Sequence, residues 1–129
     1  MVGCEVAELL ALKNCDVTIV EMLDRIAADV EPTQRMFLME RFSDYKLDIV
    51  TGATIEGFSE TGVKVINADG TSSEITADHV VLALGATPDN ALAEQLEDEL
   101  EEMYVIGDCR KPYRILEAVH DGAYIAREI

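Results

Sequence analysis

A glycine and an acid near the amino terminus have the types and the spacing of residues that bind a dinucleotide. Gly3 opens a stretch with helical spacing, and Glu21 ends the short β-branched run Val17-Thr18-Ile19-Val20. In a dinucleotide-binding βαβ unit, a glycine-rich turn opens the helix, and an acid about 20 residues further on binds the ribose hydroxyls. Gly3 corresponds to the last glycine of that turn and Glu21 to the acid. For this segment alone, a surface acid at a strand end is an equally good interpretation.

The first two glycines of the glycine-rich turn are missing before Gly3. Only Met1 and Val2 stand before it, so the sequence lacks the strand and the two glycines that would contact a pyrophosphate. Backbone N–H groups at the start of the helix are the main source of affinity for phosphates. We therefore expect a nucleotide-binding domain in which the first strand of the usual fold is missing.

Composition excludes several classes of partner. The 129 residues are 49% hydrophobic and 28% charged, as in one globular domain with its own core. With a formal net charge of -16 and no basic stripe, the chain is expected to bind neither nucleic acid nor an anionic membrane. No stretch has the length of a transmembrane helix, and no secretory signal is visible, so we expect a cytoplasmic protein.

Neither a metal site nor a catalytic group is predicted. The three cysteines are Cys4, Cys15 and Cys109. Their odd number and the lack of a Cys-x-x-Cys pair favour reduced thiols over a disulfide framework or a zinc site. The acids between Asp89 and Glu102 have no histidine among them, which favours a solvated helix or loop. His79 and His120 belong to no recognisable acid, base or nucleophile arrangement.

Helices and strands alternate around Gly3 and Glu21. A helix from Val2 to about Lys13 precedes the Glu21 strand, a second helix begins at Glu31-Pro32, and Leu47–Thr51 has the character of the next parallel strand. The period changes to two between about 53 and 77. Thr61-Gly62 and Asp69-Gly70 are hairpin signals there, so this region is predicted to be an antiparallel β-meander.

An α/β chain is therefore predicted, with a Rossmann-like parallel sheet, helices on both faces and an inserted antiparallel β-meander. Ala77–Gly85 is expected to be a further apolar strand, and ligands gather at the carboxyl ends of such strands. Tyr104–Gly107 is expected to be a last short strand. Pro112 then opens a final helix, whose apolar side is expected to be buried.

Four segments in this order resemble the carboxyl-terminal half of the flavin-dependent pyridine-nucleotide oxidoreductases. The segments are Gly3-x-Glu5-x-Ala7, Val17–Glu21, Ala83–Pro88 and Tyr104–Cys109. The chain is most similar to the old-yellow-enzyme-like branch, which includes dienoyl-CoA reductases, enoate reductases and NADH oxidases. That similarity is strongest in the ending, where Gly107–Pro112 is followed by Ile115–Gly122. It covers nearly the whole chain.

The resemblance implies two parts and four cofactor-binding residues. Residues 1–103 would form a truncated NAD(P)H-binding domain, and residues 104–129 would be the strand and helix that return to the FAD domain. Gly3 would pack the first helix on the sheet, Glu21 would bind the adenosine ribose, Gly85 would line the nicotinamide side, and Asp108 would face FAD. A carboxylate at Glu21 would repel a ribose 2′-phosphate, so NADH is expected over NADPH, although Arg25 lies near in sequence.

The function that this resemblance implies is an NADH-binding fragment of a flavin-dependent oxidoreductase, which passes hydride from NADH to a flavin and is inactive alone. Its partners would be the amino-terminal parts of the parent flavoenzyme. Because a vacant strand position exposes sheet edges, we expect Tyr104–Gly107 to fill it, in this chain or in a homodimer that exchanges this strand. The alternative is a non-catalytic acidic α/β interaction module that retains only the scaffold.

Overall fold

A computed structural model describes residues 1–129 as two compact units, Met1–Ala83 and Leu84–Ile129. The first unit contains, in order, α1 (Val2–Leu12), β1 (Val17–Glu21), α2 (Pro32–Phe42), β2 (Leu47–Thr51), β3 (Thr54–Phe58), β4 (Gly62–Ile66) and β5 (Ser72–Thr76). The second contains α3 (Ala91–Leu96), a 3₁₀ turn (Gly107–Cys109) and α4 (Ile115–Glu128). The predicted α/β class is confirmed.

In the first unit, α1 and α2 pack on a parallel pair of strands through one shared core. β1 and β2 pair in register from Val17 opposite Leu47 to Glu21 opposite Thr51. A parallel pair needs a crossover, which α2 supplies. The start of α2 is capped by Glu31, whose carboxylate accepts hydrogen bonds from the backbone N–H groups of Thr33 at 2.9 Å and Gln34 at 3.1 Å. This cap fixes where the crossover helix begins.

A small apolar core holds these elements together. Its buried members are Cys4, Ile26, Ala27, Leu38 and Phe42. Leu38 is only 1% exposed, and burial of a leucine side chain stabilises a fold by about 1.5–3 kcal/mol. The core therefore draws on α1, on α2 and on the loop that follows β1.

The meander forms a separate antiparallel sheet in the order β3-β4-β5. Val63 and Val65 of β4 are buried. A Cβ added at Gly62 would lie 2.0 Å from the carbonyl oxygen of Ile75, so only glycine allows β5 to approach β4 at this position. The meander that the alternating pattern predicted is confirmed in its place and its strand order.

In the second unit, no residue is buried. The apolar side chains of α4 that were expected to be buried are largely exposed, among them Ile115 at 84% and Leu116 at 60%. Within this unit α4 packs on the 3₁₀ turn. No helix in the structure combines the length and the apolar character that crossing a membrane requires.

Two predicted strands are wrong as assignments of secondary structure. Neither Ala77–Gly85 nor Tyr104–Gly107 forms a strand. A strand needs a neighbour for its backbone hydrogen bonds, and β1 pairs with β2 alone. Ile106 still has extended dihedral angles, with φ -131° and ψ 163°, although it pairs with no strand. The packing of residues 104–129 on the parallel sheet, and the functional boundary after residue 103, stay predictions.

Candidate functional site

Gly3 lies in the first turn of α1 at a point of close approach. A Cβ at this position would lie 3.1 Å from the Cβ of Ala83, which is tighter than an ordinary contact. Any larger side chain would push α1 away from the segment that ends at Ala83. The N-cap residue of α1, Met1, makes no side-chain capping bond to the N–H groups that open the helix.

Glu21 lies at the carboxyl end of β1, and its local hydrogen bonds fix its position. Its Oε1 accepts a hydrogen bond from the backbone N–H of Leu23 at 3.1 Å. Its backbone oxygen accepts one from the N–H of Ala53 at 3.1 Å, and the N–H of Gly52 donates to the oxygen of Leu23 at 2.8 Å. The carboxylate is thus held at a turn, and Oε2 keeps its capacity to accept a hydrogen bond from a hydroxyl.

The loop after Glu21 is anchored from α2. Arg35 Nε donates a hydrogen bond to the backbone oxygen of Ile26 at 2.9 Å. Ile26 is 2% exposed, and the next residue, Ala27, has a positive φ of 50°. This anchor keeps Ile26 in the core and so limits the freedom of the chain that follows Glu21.

Cys4 connects the start of α1 with the Glu21 region. Burial is the main cause that raises the pKa of its thiol; the charged amino terminus opposes this rise, and the negative charges of Asp29 and Glu21 add to it. The amino group of Met1 lies 3.6 Å from the carboxylate of Asp29. The structure therefore brings the amino end of α1 and Glu21 together, and it keeps Cys4 a neutral thiol that is a poor nucleophile.

Asp108 belongs to the 3₁₀ turn of the second unit. The turn begins at Gly107, whose φ of +66° favours glycine. Asp108 Oδ1 accepts a hydrogen bond from the backbone N–H of Tyr113 at 3.4 Å. The Asp108 side chain is exposed, so its carboxylate remains accessible to a ligand.

Beside Asp108 lies a shallow groove of about 370 Å³ at the start of α4. It is lined by Asp108, Tyr113, Arg114, Ile115, Ala118 and Val119. Arg114 is the N-cap of α4 and makes no side-chain capping bond. The groove thus combines a carboxylate that accepts hydrogen bonds from hydroxyls with helix N–H groups that favour an anion.

Gly85 has a φ of +89°, and nothing lies within 4 Å of the place where a Cβ would be. There is space for a side chain, so the requirement for glycine comes from the positive φ of the backbone and not from crowding. Of the four predicted site residues, Gly3 and Glu21 lie in the first unit, and Gly85 and Asp108 lie in the second. Their roles in cofactor binding stay predictions.

Asp121 of α4 is a polar residue of this region that the sequence pattern did not single out. Its carboxylate contacts the Gly107 turn, 14 residues earlier in the chain. In the sequence it is one more acid on an amphipathic helix, and only the folding of α4 against the turn brings it to Gly107. No group of three or more His, Cys, Asp or Glu residues is placed to hold a metal ion.

Comparison with known proteins identifies the family. The family described as pyridine nucleotide-disulphide oxidoreductase matches residues 1–123. The chain belongs to this family. It is 39% identical over 130 residues to an NADH oxidase of Thermoanaerobacter brockii, with 100% of this chain and 20% of the relative covered. It is 34% identical over 129 residues to a bilirubin reductase of Mediterraneibacter gnavus (strain CC55_001C), with the same coverage of 100% and 20%.

A solved structure of 2-naphthoyl-CoA reductase in complex with 2-naphthoyl-CoA matches 99% of this chain and 20% of its own, with a TM-score of 0.82 and 30% identity. The resemblance predicted from four sequence segments is therefore confirmed at the level of the family. The chain spans about a fifth of the length of the curated relatives it matches.

Proposed function

We propose that this chain is the NADH-binding portion of a flavin-dependent oxidoreductase that passes hydride from NADH to a flavin. The observation that carries the proposal is the position of Glu21, at the carboxyl end of a parallel strand and next to the start of α1. Carboxyl ends of parallel strands are where ligands bind in open α/β sheets. Oε1 is held by Leu23, so Oε2 is the oxygen that would accept a hydrogen bond from a ribose hydroxyl.

The second unit is proposed to contact FAD through the Asp108 groove. The residues present fit part of this cofactor: the carboxylate suits the ribityl hydroxyls, and the uncapped N–H groups of α4 suit a carbonyl or phosphate oxygen. FAD would supply the hydride acceptor, as cofactors carry such chemistry and the protein orients them. Gly85 is proposed to line the nicotinamide side, where its lack of a side chain leaves space.

NADH is proposed as the preferred nucleotide over NADPH. A fixed carboxylate at Glu21 would lie against the 2′-phosphate of NADPH, and two negative groups at hydrogen-bond distance repel each other. Arg25, which follows Glu21 in the sequence, makes no hydrogen bond to it in the structure. Three free thiols support a cytoplasmic location, because that compartment keeps thiols reduced.

The 129-residue chain is proposed to be inactive alone. Its length is about a fifth of that of the NADH oxidase and bilirubin reductase that it resembles. The parts of those relatives that it does not cover are the proposed partners. No His, Cys, Asp or Glu cluster offers a metal site, and Cys4 is a buried neutral thiol. The chain's own contribution is proposed to be binding and orientation, with the chemistry supplied by the cofactors.

A titration of the isotope-labelled chain with NADH, followed by amide chemical shifts, tests the nucleotide site. We expect shifts at Gly3 and Leu23 and a Kd on the order of 1 mM, which is about 4 kcal/mol of binding free energy. Glu21→Ala is expected to weaken binding about tenfold, because it removes a charged hydrogen-bond acceptor. Glu60→Ala, which changes an exposed acid in the β3–β4 turn, serves as the matched control.

Each outcome decides a separate part of the proposal. Shifts confined to other residues would contradict the Glu21 site, and equal affinities for NADH and NADPH would contradict the preference. A micromolar Kd would show that the chain has its full affinity, against the expectation that it depends on the rest of the enzyme. β1 has one unpaired edge. If a second copy of the chain pairs with that edge, the chain will sediment as a dimer.

The alternative function, a non-catalytic acidic interaction module, is favoured by one observation. The net charge is -16, and the acids of Glu94–Glu102 are solvent-facing, with Glu97, Asp98 and Glu99 all exposed. Such a surface suits a basic partner. A chain that shows no NADH shifts at millimolar concentrations, yet binds a basic protein in a salt-dependent manner, would favour this function over the first.

A further inference from the structure

Asp121 uses both carboxylate oxygens to tie α4 to the turn that contains Asp108. Its Oδ2 accepts a hydrogen bond from the backbone N–H of Gly107 at 3.3 Å. Its Oδ1 accepts one from Arg110 Nη2, also at 3.3 Å. The Asp121 side chain is 28% exposed, whereas that of Arg110 is 61% exposed, so the acid is the inner partner of this ion pair.

The hydrogen bonds within the turn leave the Gly107 N–H to Asp121. The backbone oxygen of Gly107 accepts hydrogen bonds from the N–H groups of Arg110 at 3.1 Å and Lys111 at 3.0 Å. Gly107 is the first residue of the turn, so its own N–H has no partner within the turn. Asp121 therefore contacts Gly107, which is the first residue of the turn, and Arg110, which directly follows the turn.

The helix and the turn also lie close together beside this hydrogen bond. A Cβ at Gly107 would lie 3.8 Å from the Cβ of Ala118, and one at Gly122 would lie 3.8 Å from Cδ1 of Ile106. Both distances are those of ordinary van der Waals contact, so the turn lies against α4 at these two positions.

Asp108 lies between the two points that Asp121 holds. The Asp108 side chain itself accepts one long hydrogen bond, of 3.4 Å, from the backbone N–H of Tyr113. One bond of this length holds the carboxylate weakly, whereas Asp121 holds the turn by two bonds of 3.3 Å, to Gly107 and to Arg110. The direction in which Asp108 faces its groove thus depends on the backbone of the turn, which Asp121 anchors.

We propose that Asp121 is a positioning residue for the flavin: by holding Gly107 and Arg110 on α4, it sets the direction in which Asp108 faces the groove. This inference rests on the proposed function, because it takes the Asp108 groove as an FAD contact. Asp121 acts through Asp108 and does not itself line the groove. The Gly107 bond is the more important of its two contacts, since exposed ion pairs contribute little.

The test is the affinity for FAD of the holoenzyme that the proposed function implies, measured by reconstitution of the apoprotein and flavin fluorescence. Asp121→Ala is expected to raise the Kd for FAD about tenfold, since it removes both contacts. Asp121→Asn keeps an oxygen for the Gly107 N–H, and it is expected to restore most of this loss. Arg110→Gln removes only the ion pair and is expected to change the Kd less than about threefold. Glu128→Gln, on the same helix, is the control.

A double-mutant cycle separates positioning from a general loss of structure. In an Asp108→Asn background, Asp121→Ala is expected to raise the Kd for FAD less than about twofold, because its effect passes through Asp108. In the 129-residue chain without flavin, Asp121→Ala is expected to speed hydrogen exchange of the Gly107 amide about tenfold, while amides of the first unit exchange at their usual rates.

The outcomes distinguish this inference from the function on which it rests. Tight FAD binding by the wild-type protein with an unchanged Kd in Asp121→Ala would overturn the role of Asp121 alone. Additive effects of the Asp108 and Asp121 substitutions would do the same. Failure of the wild-type full-length enzyme to bind FAD would overturn the proposed flavin contact and this inference with it. An Asp108→Asn variant with an unchanged Kd for FAD would do the same.

Discussion

The two compact units of this chain are stabilised in different ways. Met1–Ala83 has a buried core that includes Leu38 and Val65, the two large side chains with the least exposure. Leu84–Ile129 has no buried residue, although α4 is amphipathic and has apolar side chains along its length. The first unit is held by packing, whereas the second is held by turn geometry and by polar contacts such as that of Asp121.

Because of this difference, we expect the first unit to be stable by itself and the second unit to be much less so. Burial of apolar surface is the dominant favourable term in folding, so a unit with its own core unfolds cooperatively. A short segment without buried residues has little of that term, and its local structure opens at a low free-energy cost. The residues proposed to bind NADH and FAD are thus carried by units of unequal stability.

The largest effect is expected from Leu38→Ala in the first unit. Leu38 is 1% exposed, and its truncation leaves a cavity in the core. We expect a loss of about 3 kcal/mol in the free energy of unfolding, measured by urea denaturation. Leu116→Ala makes the same change at a side chain that is 60% exposed in α4, and a change within about 0.5 kcal/mol is expected. Equal losses in the two variants would contradict the contrast between the units.

Gly62→Ala tests whether packing of the meander depends on backbone contact. The new Cβ would lie 2.0 Å from the carbonyl oxygen of Ile75, so β5 must shift away from β4. We expect a loss of about 2 kcal/mol in unfolding free energy. Gly57→Ala is the matched control in β3, where nothing lies within 4 Å of the added Cβ. If the control were the more destabilised variant, the described register of the meander would be wrong.

The alkylation rates of one cysteine in each unit offer a further comparison of the two units. Cys4 is buried in the first unit and its pKa is raised by burial, whereas Cys109 of the second unit is exposed. The thiolate is the reactive form, so we expect alkylation of Cys4 at neutral pH to be at least about tenfold slower than that of Cys109. Mass spectrometry of partly alkylated peptides measures both rates. Similar rates would mean that the core around Cys4 opens as readily as the second unit.

The smallest effect concerns the ion pair between α1 and α2. Arg41 binds both carboxylate oxygens of Glu8, with 3.3 Å from Nη2 to Oε2, and its hydrogen bond lowers the pKa of Glu8 below the usual 4.5. A lowered folded-state pKa contributes stability that is present above pH 4.5 and is lost as the pH falls through the folded value. Glu8→Gln should remove this acid sensitivity, seen as a flatter dependence of the thermal midpoint on pH below 4.5, whereas Glu60→Gln should leave it intact.

Sequence patterns predicted most of the first unit because they report on local constraints. Pro32 after a capping acid marks the start of α2, and the alternation around Gly62 and Gly70 marks the meander. The patterns were wrong at Ala77–Gly85 and Tyr104–Gly107, neither of which forms a strand. Apolar β-branched residues favour extended backbone, but a strand also needs a neighbour, and sequence composition does not tell which neighbour is present.

The sequence also suggested the candidate site residues, whose roles in cofactor binding stay predictions. Gly3 and Glu21 follow from the spacing of a nucleotide fingerprint, and Gly107-Asp108 follows from a family resemblance. The contact of Asp121 could not be predicted in this way, because it depends on the approach of α4 to a turn 14 residues earlier. The spacing of residues in the sequence reveals short local motifs, whereas a contact between a helix and a distant turn is seen only in the folded structure.

The kinetics of Glu21→Ala in the holoenzyme test the central claim most directly. Glu21 is proposed to hold the adenosine ribose, remote from the transferred hydride, so the substitution should raise KM for NADH about tenfold and leave kcat within about twofold. KM for NADPH should fall relative to that for NADH, because a negative charge is removed. An unchanged KM for NADH, with wild-type kcat, would contradict the assignment of this chain as the NADH-binding portion.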